Sequence, residues 1–429
     1  MQIIDCTKAG FEPELEKIYR REAVSTEINE SVKMILSEIK ITGDTALVKF
    51  AEKFDHIKLT PAQFKVTTTE LNEAAKLVND DWKKAIQQAL ENVTSFAEQR
   101  IPQAWHYSPR PGVTLGERFE PMSRVGVYIP GGTAPLVSTV LHTAGIAKTA
   151  GVKEIVAVTP AGADGKIHPA VLWAMQVAGV TEIYRLGGVY GIGALAYGTQ
   201  TIRKVDKIVG PGNAWVTAAK KQVYGDVALD MVAGPSEIMI IADDTARADF
   251  IAADMLSQAE HGSGLEHAVL VTTDANLIKQ VQLELEKQKK RLSRSATVDK
   301  VLNHGSYFIL ANDLDEAADI ASKYAPEHLE IMCRDADIEA KKIKAAGAIF
   351  IGEWTPEPVG DFCAGPSHVL PTAGSGRYFS GLTVESFFRR MSTVQYSREA
   401  IQHAIPTITA FAEMEGLDAH GNSAKIRGI

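Results

Sequence analysis

The chain has 429 residues, of which 45% are hydrophobic and 23% charged, and its formal net charge is −8. This composition is typical of a globular protein with about two to four domains, and the acidic balance argues against a nucleic-acid partner, because phosphate binding needs clustered lysines and arginines. The three scattered cysteines predict no disulfide framework and favour the cytoplasm. We expect neither a signal peptide nor a membrane span, because the N-terminal segment turns acidic early and no run of 18 apolar residues occurs.

The first part of the chain is helical in pattern. Residues 1–24 are polar and predict a short helical extension, and the apolar period from Thr26 to Arg100 predicts further helices. From Arg124 onward, short apolar runs such as VGVYIP and EIVAVTP alternate with helical stretches. This βα alternation predicts a parallel sheet covered by helices on both faces.

A second series of alternating strands and helices begins at EIMIIAD and continues to Ile351. We expect the early helices to pack on this second unit, since they have no strands of their own. The predicted organisation is therefore α/β, with two parallel-sheet domains, an N-terminal helical extension and a C-terminal tail. The predicted boundaries are 1–24 for the extension, 25–127 with 238–382 for the first domain, 128–237 for the inserted second domain, and 383–429 for the tail, whose pattern is two short helices and a turn.

Four residues form a candidate metal site. Gln258 and His261 are three residues apart, so a helix would place them on one face. Asp361 lies in a long Gly- and Pro-rich loop, and His420 lies in the tail. Two nitrogen and two oxygen donors suit zinc. Spacing alone does not bring the four together, and each one alone is more often a structural, capping or solvated residue.

Glu327 and His328 are neighbours in YAPEHLEIMC, at the join between a predicted helix and a predicted strand. Histidine is the natural base near neutral pH, and an adjacent carboxylate can activate water. The alternative is an ordinary surface pair. The sequence does not determine whether the Glu327–His328 pair lies at the strand end where parallel α/β sheets bind ligands.

Three glycine-containing turns each follow a predicted strand and precede a helix, where backbone N–H groups can face a phosphate. They are PGGTAP from Pro130, GGVYGIG from Gly187 and GPGN from Gly210. None is a GxGxxG motif, and a tight βα turn explains each one equally well. Three such turns in one domain favour a nucleotide-binding site. The segment AGPSE at 233–237 ends that domain.

These segments, in this order, resemble the histidinol dehydrogenase family over nearly the whole chain. The matching stretches are RVGVYIPGGTAPL, VDKIVGPGN, LDMVAGPSEIMIIAD, MLSQAEHG, YAPEHLEI, PVGDFCAGPSHVLPT and EGLDAHGNSAKIR. The resemblance implies two Rossmann-like parallel-sheet domains with an N-terminal helical extension and a C-terminal dimerising tail, and it makes the inserted domain 128–237 the NAD-binding one. It further implies an intertwined homodimer with one zinc per subunit and NAD as co-substrate. It implies two hydride transfers that convert L-histidinol through the aldehyde to L-histidine.

The resemblance also implies residue roles. Glu327 would activate water, and His328 would act as the base. The implied zinc ligands are Gln258, His261, Asp361 and His420. The implied substrate contacts are these four together with Ser236, His328, His368 and Glu415, and the implied NAD contacts are Tyr128, Asn213 and Tyr190.

The tail of this family crosses to the neighbouring subunit, so Glu415 and His420 would complete the partner's site. Three positions depart from the family's pattern: Tyr190 replaces the usual glutamine, Phe362 the usual tyrosine and Ser367 the usual asparagine. The first departure puts the NAD contact at Tyr190 in doubt.

Two other functions are compatible with the sequence. A paralogous zinc dehydrogenase could act on another small polar alcohol, such as a sulfonated diol, and turnover of a diol panel would distinguish it. A catalytically silent binding or scaffold protein would be expected to have lost a ligand or the base, whereas every candidate position is filled here.

Overall fold

The computed structural model describes residues 1–21, 25–131, 134–261 and 263–428, and it has the mixed α/β architecture that the sequence predicts. The strands, in chain order, are β1 (Gln2–Asp5), β2 (Trp105–Arg110), β3 (Val113–Pro121), β4 (Arg124–Tyr128), β5 (Glu154–Val158), β6 (Glu182–Tyr184), β7 (Lys207–Val209), β8 (Ala228–Leu229), β9 (Glu237–Ala242), β10 (His267–Thr272), β11 (Ser306–Leu310), β12 (His328–Met332), β13 (Ala348–Ile351) and β14 (Phe388–Tyr396).

Helices surround the strands, and a π-helical turn joins the sixth helix to the seventh. In chain order they are α1 (Glu12–Tyr19), α2 (Thr26–Thr42), α3 (Asp44–Phe54), α4 (Thr68–Leu77), α5 (Asp80–Glu98), α6 (Val137–Val140), the π turn (Leu141–Gly145), α7 (Ile146–Thr149), α8 (Pro169–Val177), α9 (Gly188–Tyr197), α10 (Ala214–Val223), α11 (Ala248–Ala259), α12 (Ala275–Gln288), α13 (Ser295–His304), α14 (Leu314–Tyr324), α15 (Ala336–Ala340), α16 (Glu357–Phe362), α17 (Arg398–Glu415) and α18 (Asp418–Lys425). None of the described helices is long and apolar enough to cross a bilayer.

A six-stranded parallel sheet has the order β1-β11-β10-β9-β12-β13. Every residue of the central strand β9 is buried, as expected for a parallel strand covered on both faces. Helices α11, α12 and α13 pack on one face of the sheet. Helices α1 and α14 pack on the other.

The N-terminal segment belongs to this sheet, which corrects the prediction of a purely helical extension over 1–24. Strand β1 pairs with β11, with Gln2 opposite Tyr307, and α1 packs on α14. The sequence pattern missed β1 because QIID is only four residues long and has no extended alternation. Residues 22–24 of the predicted extension lie outside the described residues.

A five-stranded parallel sheet has the order β6-β5-β4-β7-β8. Helix α2 packs on α9 and α10, α4 packs on α8, and α5 packs on the π turn and α7. The prediction that 25–127 belongs with 238–382 is therefore wrong, because α2–α5 cover the five-stranded sheet. Helical periodicity identifies the apolar face of a helix but not the sheet that will cover it.

A small antiparallel sheet of order β14-β3-β2 joins the tail to the chain before β4. Phe388 lies opposite Pro121, and Tyr396 opposite Val113. The predicted tail of two helices and a turn thus begins with a strand instead. Phe387 is fully buried against the five-stranded unit, so the start of the tail packs within its own chain.

Candidate active site

Glu327 and His328 lie where α14 leads into β12. Helix α14 ends at Tyr324, and Ala325 takes a left-handed conformation (φ 50°) that redirects the chain. His328 is the first residue of β12, so the pair stands at the amino end of the six-stranded sheet. A Cβ at Gly347 would lie 2.5 Å from the Glu327 carbonyl oxygen, so glycine lets the neighbouring strand approach the pair.

The start of β9 holds both side chains. The Glu237 N–H donates to Glu327 Oε2 (3.0 Å), and Ser236 directly precedes it at the same edge. His328 Nδ1 lies 3.1 Å from the Glu237 carbonyl oxygen and 3.2 Å from Gln258 Oε1. Both neighbours are acceptors, so the neutral ring carries its hydrogen on Nδ1. The other nitrogen, Nε2, is buried without a hydrogen-bond partner and is free to accept a proton.

Carboxylates surround this imidazole. Burial raises the pKa of Glu327 to about 8. Burial opposes the charged form of His328, but the carboxylates of Glu327 and Asp361 outweigh it and raise the pKa of the imidazole to about 10. A cation bound among these acids would offset their charge and favour the neutral ring that a base requires. Asp361 Oδ1 lies 3.6 Å from His328 Nε2. So many acidic groups in a buried place favour a cation among them.

Three side chains form a donor group for such a cation. The ligand atoms of His261, Glu357 and Asp361 all lie within 4.8 Å of one another. His261 follows the end of α11, and the two acids lie four residues apart on α16. Burial alone would raise the pKa of Asp361, but its contacts with His328 and other neighbours hold that pKa well below its usual range.

Gln258 completes this arrangement from within α11. Its side chain is fully buried, its Oε1 faces His328, and its Nε2 has no hydrogen-bond partner. The structure thus gathers Gln258, His261 and Asp361 around His328. Nitrogen and oxygen donors of this kind fit zinc.

Glu357 was not among the residues singled out in the sequence. Its spacing of four residues from Asp361, after the helix-starting Pro356, is the signal that could have indicated it.

The tail residues are not part of this group. Glu415 is the last residue of α17, and His420 lies on α18, whose main contacts are with α17 and the residues that follow it. Both side chains are exposed, and within the described part of the chain His420 does not join the donor group. Their predicted roles therefore call for a second subunit.

His368 forms a wall of the site. Its Nδ1 lies 3.8 Å from Asp361 Oδ1, and its ring stacks on that of His142 with centroids 4.5 Å apart. His142 comes from the π turn beside the five-stranded sheet, and its backbone oxygen accepts from Ser367 Oγ (3.1 Å). The two α/β units therefore meet at the site. His142 could not be identified from the sequence, because it lies within an apolar helical pattern.

The three predicted NAD contacts have different environments. Tyr190 is fully buried and its hydroxyl bonds to Asp55, so the structure argues against its contact with a dinucleotide. Tyr128 is nearly buried, and its hydroxyl accepts from the Gly188 N–H (3.2 Å). Asn213 is exposed and caps α10, where its side chain accepts backbone N–H groups.

A cleft of about 450 Å³ opens at the carboxyl ends of β4 and β5. It is lined by Gly131, Thr159, Pro160 and Lys166, among others. Parallel sheets characteristically bind nucleotides at this edge. Residues 132–133 of the first glycine turn lie outside the described residues.

Comparison with known proteins gives consistent results. A family model described as histidinol dehydrogenase matches residues 18–428. The histidinol dehydrogenase of Lactococcus lactis is 41% identical over 95% of this chain and 94% of its own length. That of Listeria monocytogenes is 44% identical over 94% of this chain and 93% of its own length. The crystal structure of histidinol dehydrogenase from Elizabethkingia anophelis superposes with a TM-score of 0.93, at 36% identity, over 100% of this chain and 98% of that one.

Proposed function

The chain belongs to the histidinol dehydrogenase family. We propose that it oxidises L-histidinol through L-histidinaldehyde to L-histidine. Each substrate molecule would reduce two molecules of NAD, and each subunit would hold one zinc ion. The observation that carries this proposal is the buried Glu327–His328 pair beside the donor group of His261 and Asp361. Action in the cytoplasm is part of the same proposal.

His328 has the geometry of the base. With its hydrogen on Nδ1, its free Nε2 can take the proton of the substrate alcohol while the hydride leaves for NAD. Glu327, one residue away, can then take a proton from the water that adds to the aldehyde carbon. His328 would serve again when the hydrated aldehyde loses its hydride. One fixed substrate orientation thus serves both steps.

Gln258, His261 and Asp361 would hold zinc together with His420 of the partner subunit. Bound zinc would anchor the imidazole and amine of the substrate and polarise its oxygen. Ser236 and His368 of the same chain would surround the rest of the substrate, together with Glu415 of the partner subunit. NAD would lie along the carboxyl edge of the five-stranded sheet, near Tyr128 and Asn213.

A paralogous activity on another small polar alcohol remains the second candidate. The observation that favours it is local: Ser367, one of the departures from the family pattern, contacts His142 in the substrate wall. A substrate-binding wall with serine in place of the usual asparagine could accept an alcohol whose side group is not an imidazole.

The decisive experiment measures NADH and product together. We expect two NADH for each L-histidinol consumed, with L-histidine as product, loss of activity on chelation, and recovery with zinc. A panel of diols run in parallel should react poorly. Full activity of the metal-free protein would refute the zinc assignment, and one NADH with aldehyde release would refute the double oxidation.

A further inference from the structure

We infer that Tyr190 and Asp55 are positioning residues for NAD, which hold the second glycine turn, Gly187 and Gly188, without contacting the dinucleotide. This inference rests on the proposed function and extends its NAD site to an acid at the end of α3. It also explains how a tyrosine can serve at the usual glutamine position, since the side chain supports the turn from behind.

The first observation is a hydrogen bond between the two side chains. Tyr190 is fully buried on α9, and its hydroxyl donates to Asp55 Oδ2. Burial and the Asp55 carboxylate both raise the pKa of Tyr190, so the phenol stays protonated and remains the donor. Asp55 directly follows α3, which packs on α9, so the bond joins the two helices where α9 begins.

The second observation places the turn between this pair and the cleft. A Cβ at Gly187 would lie 3.0 Å from Asp55 Oδ2 and 2.7 Å from Pro160 Cβ, so glycine lets the three segments meet. Pro160 lies two residues after β5 and lines the cleft of about 450 Å³ at the carboxyl edge of the five-stranded sheet. Asp55 and Pro160 thus hold Gly187 from two sides, and a shift of Asp55 would let the turn move relative to the cleft.

The third observation links the turn to a predicted NAD contact. The Gly188 N–H donates to the Tyr128 hydroxyl (3.2 Å), and Gly188 has a φ of 48°, in the left-handed region that favours glycine. Tyr128 is the last residue of β4, at the same edge of the sheet. The bond between Tyr190 and Asp55 therefore acts on NAD through the turn and Tyr128.

The test measures NADH binding by fluorescence titration, together with steady-state kinetics, in Tyr190→Phe. This variant keeps the buried ring and removes only the hydroxyl. We expect the Kd for NADH and the KM for NAD to rise about 3- to 10-fold, as for the loss of one hydrogen bond. The kcat and the KM for L-histidinol should stay within about twofold of the wild type, because support of the turn affects cofactor binding and not the chemical step.

Two substitutions of the acid separate the hydrogen bond from other effects. Asp55→Ala removes the acceptor and should weaken NADH binding as Tyr190→Phe does. Asp55→Asn keeps an acceptor oxygen for the phenol and should restore most of the affinity. The double variant of Tyr190→Phe with Asp55→Ala should bind NADH no more weakly than either single variant, because both act through one bond.

The matched control is Tyr184→Phe. Tyr184 is a buried tyrosine of the same five-stranded unit, and its hydroxyl donates to Glu182 Oε2 (2.6 Å). We expect this variant to lose thermal stability as Tyr190→Phe does but to keep its affinity for NADH. An unchanged Kd for NADH in Tyr190→Phe, or an equal rise in Tyr184→Phe, would overturn the inference. Wild-type protein that binds NADH but does not oxidise L-histidinol would instead refute the proposed function.

Discussion

The carboxylate of Glu327 is fixed by the backbone of the neighbouring strand β9, whereas the free nitrogen of His328 faces the acids of the donor group. The two adjacent residues thus face different surroundings. This difference lets one residue handle the substrate oxygen and the other handle water. It also makes their contributions separable by substitution.

Glu327→Gln should impair the second oxidation much more than the first. The amide oxygen can still accept from the Glu237 N–H, so the fold of the site is kept, but the amide cannot take a proton from water. We expect the oxidation of L-histidinaldehyde to fall by about 100- to 10,000-fold. Single-turnover measurements that start from the alcohol or from the aldehyde separate the two steps.

The control for this experiment is His328→Gln, which should slow both oxidations. Equal losses in the two steps of Glu327→Gln would contradict the assignment of Glu327 to water activation.

At the scale of single residues, the resemblance implied Gln258, His261 and Asp361 as zinc ligands. They lie around His328, and their role as ligands stays a prediction. Tyr190 was placed near NAD, but its ring points into the core, because a position on a helix does not reveal which face is covered. Glu357 was missed because its loop gave no helical signal beyond a few residues.

At the scale of elements, an ion pair connects the N-terminal segment to strand β9, which contacts Glu327 and His328. The Arg21 guanidinium, in the segment after α1, pairs with the Glu237 carboxylate (2.7 Å) and stacks 3.6 Å from the centre of the Tyr324 ring. The other Glu237 oxygen accepts from the Ala373 N–H (3.0 Å). Burial raises the pKa of Glu237 to about 7, against the lowering effect of Arg21. This pair ties the N-terminal segment to the first residue of β9.

Arg21→Met should destabilise the protein by about 3–5 kcal/mol, because it leaves a buried carboxylate without its partner. Adding Glu237→Gln removes that charge and should recover much of the loss. Denaturant unfolding monitored by circular dichroism measures both effects.

The exposed neighbour Arg20 provides the control, and Arg20→Met is expected to change stability by less than about 0.5 kcal/mol. If Arg21→Met unfolds at the same denaturant concentration as the wild type, the pair does not hold β9.

At the level of elements, the alternation of strands and helices predicted the strands of both parallel sheets except β1 and β8. The hairpin β2–β3 and strand β14 were not predicted, because their residues are largely exposed and show little apolar alternation. Nor did periodicity tell which sheet α2–α5 would cover. That choice depends on packing between distant segments, which a local pattern does not encode.

The whole molecule leaves apolar surface exposed on its tail. Phe411 is 56% exposed, Met414 71% and Ile426 57%, all on or beside α17 and α18. Clustered apolar side chains of this kind are typical of a surface that another protein covers. A second copy of this chain would cover them and bring Glu415 and His420 of the partner subunit to the site.

Complementation between two inactive variants tests this arrangement. His328→Ala chains mixed with His420→Ala chains should form heterodimers in which one site carries both lesions and the other carries none. Up to half of the sites should then be active. Purified heterodimers with different tags and an NADH assay give the measurement.

Each variant alone is the control and should remain inactive. Verified heterodimers without activity would contradict the sharing of sites while leaving the zinc assignment intact.

Strand β1 pairs with β11, so the beginning of the chain depends on a strand formed more than two-thirds of the way along it. During synthesis, residues 2–5 have no partner until the ribosome has delivered residues 306–310. The unit from 25 to 231 already has its own strands and covering helices by then. Vectorial synthesis therefore lets the five-stranded unit begin to fold first. The six-stranded sheet is completed late, and its strands keep unpaired edges exposed to chaperones in the interval.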